Sequence, residues 1–129
     1  MAKSHWKLWT DAASERAARV VGSRVLERLG DSRPHLEVEA YPKGGHVIRF
    51  SLEHTEPTWP EVVVALLRLS QRVGQGWEIA YHDHDEIDFW GAKAAGLTHF
   101  NVAGVTAIEI RAQPSPPWDR TTRGPSRSV

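Results

Sequence analysis

Two short runs of alternating polarity, joined by Pro42-Lys-Gly-Gly45, constrain this chain more than any other feature. In His35 to Tyr41, Leu36, Val38 and Ala40 alternate with Glu37 and Glu39. In His46 to Glu53, Ile48, Phe50 and Leu52 alternate with Arg49, Ser51 and Glu53. Successive side chains of a strand point to opposite faces, so each run has one apolar and one wet face. Glycine accepts positive φ and proline cannot continue a ladder, which predicts a tight reversal and an antiparallel hairpin. A lone hairpin is marginal in water, so its apolar face requires a cover from elsewhere in the chain.

Two helices are available to supply it. Residues Asp11 to Leu29 place Ala18, Val21, Val25 and Leu29 at spacings of three and four, with Glu15, Arg16, Arg19, Arg24 and Arg28 around them. Thr10 or Asp11 is the expected cap, and Gly30 the left-handed stop. The basic flank of this helix is diluted by Glu15 and Glu27, so it reads as a solvated face. The second helix opens on Thr58-Trp-Pro-Glu61, a capping box with proline in the first turn, where a missing N–H costs nothing. Val62 or Val63, Leu66, Leu69 and Val73 form its stripe, and Gly74 and Gly76 end it. Trp6, Trp9 and Trp59 are expected to staple the starts of the helices, and His5, His35, His46 and His54 to lie at surface margins.

Trp77-Glu-Ile-Ala-Tyr81 then predicts a third strand with Trp77, Ile79 and Tyr81 facing inward. Val105 to Ala112 predicts a fourth, with Ile108 and Ile110 buried. The expected fold class is α+β. It is a two-layer sandwich of a four-stranded antiparallel sheet with two helices on one face, in the order α-β-β-α-β-β. The outer face would carry Glu37, Glu39, Arg49, Glu78, Glu109 and Arg111. Residues 1–112 read as a single domain, and 113–129, rich in Pro, Arg and Ser, as a disordered tail.

Composition bounds the function. Sixteen Lys and Arg balance sixteen Asp and Glu, which argues against a protein held to nucleic acid by phosphate contacts. Cysteine is absent, and with it disulfides, thiol catalysis and Cys-ligated zinc. The amino end has no apolar core of the signal-peptide kind, and no run approaches the roughly 20 apolar residues of a membrane helix. A soluble cytoplasmic protein is expected.

One segment carries concentrated charge. Glu78 to Asp88 holds Glu78, Asp83, Asp85, Glu86 and Asp88 with His82 and His84, and neither Lys nor Arg. It opens a long connection, His82 to Gly104, and long connections in compact domains are usually functional or disordered. The aromatics Phe89, Trp90 and Phe100 argue against disorder. Close-packed carboxylates repel one another and call for a counter-charge. A solvated acidic loop over packed aromatics is one reading. A metal site using His82, His84, His99 and Asp83 or Asp85 is a second, although no helical His-x-x-x-His or calcium-loop spacing completes a shell. Recognition of a basic protein is a third: Asp83, Asp85, Glu86 and Asp88 supply charge, and Trp90 and Phe89 supply the buried anchor. A small hydrolase pairing Asp85 with Glu86 or Asp88 is a fourth, without a phosphate loop or nucleophile elbow to support it.

Asp85-Glu-Ile-Asp-Phe-Trp-Gly91, followed by Gly104-Val-Thr-Ala-Ile-Glu-Ile110, resembles small bacterial immunity proteins of polymorphic and contact-dependent toxin systems. The likeness spans Trp77 to Ile110. It implies a compact α+β domain, non-enzymatic and without cofactor, that neutralises one cognate toxin, often a nuclease. Asp83, Asp85, Glu86, Asp88, Phe89 and Trp90 would then be its partner-binding residues. The alternatives to this reading are a small metal-binding or hydrolytic protein built on His82, His84 and the adjacent carboxylates, and a structural dimerisation module.

Overall fold

The computed structural model describes residues 1–82 and 86–114. In chain order the elements are β1 (Ala2–Thr10), α1 (Glu15–Leu29), β2 (Glu37–Ala40), β3 (His46–His54), α2 (Trp59–Val73), β4 (Gly74–Gln75), β5 (Glu78–His82), β6 (Glu86–Ala92), a 3₁₀ turn (Lys93–Ala95), β7 (His99–Phe100) and β8 (Val105–Gln113). Six strands form one antiparallel sheet in the order β2-β3-β1-β8-β6-β5, and β4 pairs with β7 in a separate two-stranded ladder.

This overturns the expected four-stranded sheet of order α-β-β-α-β-β. Two strands of the main sheet were missing from that expectation, and both lie in its interior. Ala2–Thr10 alternates small or apolar residues with Lys3, His5, Lys7 and Trp9, and it runs between β3 and β8. Glu86–Ala92 lies between β8 and β5, so the two C-terminal strands expected to be neighbours are separated by one strand. Acidic residues disguise β6: Glu86 and Asp88 alternate with fully buried Ile87 and Phe89, so half of the charged run is the wet face of a strand.

The hairpin forms as expected, with Ala40 opposite His46. Gly45 adopts φ 77°, and a Cβ there would sit 1.9 Å from the Thr10 carbonyl oxygen. Only glycine combines that backbone with that approach, and the loop is thereby seated on the end of β1. Helix α1 begins later than Asp11. Its cap is Ser14, whose Oγ accepts from the Ala17 N–H at 3.1 Å, while Thr10 and Asp11 belong to the strand end and the link. Gly30 closes it at φ 77°. Thr58 caps α2 as read: the Glu61 N–H donates to Thr58 Oγ1, and the Thr58 hydroxyl donates to Glu61 Oε1 at 2.8 Å.

One face of the sheet carries the core. Trp6, Leu8, Ile48, Phe50, Ile87, Phe89, Ile108 and Ile110 are buried beneath Val21, Val25 and Leu29 of α1 and Val62, Leu66 and Val73 of α2. Trp6 stacks on Phe50 at 5.6 Å. Trp77 meets Phe89 and Phe100 edge-on, and its indole N–H donates to the Ser70 and Gly74 carbonyls, pinning the end of α2. The cover stops short of β5. Ile79 and Tyr81, expected to be buried, point to the helix side beside Phe89 and Ile87 yet remain 46% and 56% exposed, because β5 is the edge strand. The expected tail falls outside the described residues from 115 onward; Gln113 still belongs to β8.

Candidate partner-binding face

Both helices pack on the side of Trp6 and Phe89, so the opposite face of the sheet has no second layer among the described residues. Register places its side chains in rows. One row runs Glu37, Arg49, Lys7, Glu109, Trp90, Glu78, and the next runs Ser51, His5, Arg111, Asp88, Ala80. Directly paired residues share a face and lie close enough to interact. The expected outer residues Glu37, Glu39, Arg49, Glu78, Glu109 and Arg111 are all here or at the β2 edge, joined by Lys7, Trp9 and Trp90 from the two strands not anticipated.

The residues singled out in sequence have separate fates. Asp83, His84 and Asp85 lie outside the described residues. Glu86 and Asp88 are half-buried on the outer face of β6, not at a loop tip. Phe89 is fully buried between β5 and β8, so it presents no surface to a partner and belongs to the core. Trp90, one residue on, points the other way and is 38% exposed. Strand alternation therefore splits the expected aromatic anchor: Trp90 remains and Phe89 drops out.

Of the acidic segment, Asp88 has polar partners within the chain. Asp88 Oδ2 lies 3.0 Å from His82 Nε2, and Arg111 Nε lies 3.8 Å from Asp88 Oδ1. Arg111 also reaches Glu109 at 3.7 Å. At the far edge Arg49 binds Glu39, and that guanidinium holds the Glu39 carboxyl below the usual carboxylate range. Such exposed pairs contribute little to stability. Lys3, Lys7 and Arg49 on β1 and β3 stand among Glu37, Glu39 and Glu53, while Glu78, Glu86 and Asp88 make the β5 and β6 side acidic.

At one end of this surface Trp9 and Trp90 meet edge to face at 5.5 Å and 80°. With Tyr41, Ala92 and Ala107 they line a largely apolar depression, and Lys7 Nζ sits 4.6 Å above the Trp9 ring. A second depression, lined by Glu78, Ala80, Asp88, Trp90 and Glu109, adjoins it through Trp90. An aromatic floor next to a row of carboxylates suits a ligand that carries apolar and cationic groups together. Trp9 and Tyr41 were legible only as a staple and a strand end; the period-two run Trp6, Leu8, Thr10 is the signal that places Trp9 outward.

The chemistry-bearing residues elsewhere do not assemble. Among the described residues no group of three or more His, Asp or Glu side chains is placed to hold a metal ion, and His99 lies in the separate β4–β7 ladder, away from His82. One trio has the residue types of a hydrolytic triad. Ser4 Oγ is 2.7 Å from His54 Nε2, and His54 Nδ1 is 3.8 Å from Glu56 Oε1. Ser4 is fully buried, however, and its oxygen accepts from the Trp6 indole N–H at 2.9 Å, so the trio is an internal polar network. His54 is thus no surface residue, contrary to its expected place at a margin. His46 is half-buried too, its Nδ1–H donating to the Ala12 carbonyl at 2.8 Å. No protein-family model and no curated protein matches the chain. No described helix is long and apolar enough to cross a membrane.

Proposed function

We propose that this protein is a non-enzymatic binding module of the immunity type, which neutralises a cognate basic toxin through the uncovered face of its sheet. The observation that carries the reading is Trp90. It stands on an interior strand of the sheet, braced by Trp9, and is flanked in its own row by Glu78 and Glu109. Rigid aromatic anchors on regular elements, rimmed by charge, are the usual energetic centres of protein interfaces. The acidic contribution comes from Glu78, Glu86, Asp88 and Glu109 on strands, while Asp83 and Asp85 lie outside the described residues. A cationic side chain of the partner would displace Arg111 from Asp88 or bind Glu78 and Glu109, while an apolar neighbour fills the Trp9–Trp90–Tyr41 depression.

The test is whether a reading frame next to this gene encodes a toxin domain, followed by co-expression with it, read as survival, and binding of the purified pair. Trp90→Ala and the double change Glu78→Lys with Glu109→Lys should each abolish protection and weaken binding at least ~100-fold, as losses at interface centres do. Their far-ultraviolet circular dichroism should match the parent. Full protection by both variants would refute the reading.

A further inference from the structure

We propose that β5 is a self-pairing edge, through which two copies of this chain join their sheets about a two-fold axis at Ala80. Among the described residues β5 pairs with β6 on one side and with nothing on the other. The two sheet edges differ in kind. The β2 edge is four residues long, carries Glu37 and Glu39, and is bounded by Pro34 and Pro42, the devices that keep an edge from pairing. Strand β5, Glu78-Ile-Ala-Tyr-His82, has neither proline nor lysine, and all five of its residues are exposed. Two of them, Ile79 and Tyr81, are large, apolar and on the helix side of the sheet, beyond the reach of the helices.

The occupant is written in the strand. Antiparallel pairing of β5 with a second copy about Ala80 sets Ile79 opposite Tyr81 of the second copy, and Glu78 opposite His82 of the second copy, each pair occurring twice. The aliphatic–aromatic pairs fall on the helix side and cover the two apolar side chains the monomer leaves wet. The Glu–His pairs fall on the outer side, where His82 already faces Glu86 and Asp88 of its own chain. Cross-strand aromatic–β-branched pairs are favourable, whereas a one-residue slip puts side chains of one copy against the wrong face of the other. A five-residue ladder is about 17 Å long, and its contact is smaller than the roughly 1,200 Å² of a standard interface, so the dimer is a reversible one. It leaves both Trp90 faces open and does not depend on the toxin-binding reading.

Sedimentation velocity on the full chain over a wide concentration series tests this. The expected result is a monomer that converts to dimer as concentration rises. Ile79→Lys combined with Tyr81→Lys sets like charges opposite one another at both pairs and should weaken dimerisation at least ~tenfold. Ile79→Lys combined with Tyr81→Glu restores opposite charges in the same register and should recover it. Both changes fall on exposed side chains, and thermal melts should report an intact fold. A monomer throughout the series overturns the proposal. So does a dimer indifferent to the two lysines, or one that the Lys and Glu combination leaves as weak as the two lysines do.

Discussion

His54 shows how one buried side chain couples this fold to pH. It is 5% exposed, and desolvation holds its imidazole below the ordinary histidine range, with the Glu56 carboxylate opposing in part. A folded pKa below the unfolded value of about 6.5 means that the unfolded chain takes up the proton first. His54 therefore adds its full stability above about pH 6.5, and that contribution is lost as pH falls from there through the folded value. Urea midpoints measured at pH 7.5, 6.5 and 5.5 should drop across this window, and His54→Phe should reduce the drop; an unchanged slope would remove His54 as its source. Ser4 completes the argument. Ser4→Ala leaves the Trp6 indole N–H and the His54 ring nitrogen without their partner, an expected loss of about 1–3 kcal/mol at pH 7.5 by chemical denaturation.

At the level of elements, β6 separates what holds the molecule together from what it presents. Phe89 is fully buried against Trp77 and between Ile79 and Ile110, so Phe89→Ala should cost about 3–5 kcal/mol. Trp90 points to the open face and is 38% exposed, so Trp90→Ala should cost less than Phe89→Ala: about 1 kcal/mol for its edge-to-face contact with Trp9 plus the burial lost from its covered part. Comparable losses at the two positions would contradict the assigned strand faces. The hairpin, both helix stripes, the Thr58 cap and the Gly30 stop were legible because each is a local pattern in which one periodicity runs unbroken. Strand β1 was not, since its inward positions begin with Ala2 and Ser4, which carry little hydrophobic signal. Strand β6 was hidden by its own charge: Glu86 and Asp88 belong to a polar face, and the alternating Ile87 and Phe89 are few enough to pass as packing under a loop.

Over the whole molecule, the open face is mixed in charge toward β2, β3 and β1, where Lys3, Lys7 and Arg49 meet Glu37, Glu39 and Glu53, and acidic toward β5 and β6, where Glu78, Glu86 and Asp88 stand. Long-range attraction of a basic partner to the acidic side is screened as the Debye length falls from about 10 Å at 0.1 M salt to about 3 Å at 1 M. If the proposed basic partner is the one bound, association should slow by roughly an order of magnitude between low and high salt, while dissociation changes less. A salt-independent association rate in stopped-flow or biosensor measurements would place the contact elsewhere. Local order in the amino acids settled the helices, the hairpin, the α+β class and the presence of an acidic, aromatic-rich stretch, because periodicity and caps act over a few neighbouring residues. Strand order, the interior places of β1 and β6, the inward turn of Phe89 and the meeting of Trp9 with Trp90 came from long-range pairing. Residues far apart in the chain become neighbours only when register and burial choose among many compatible pairings, and no short window of sequence encodes that choice.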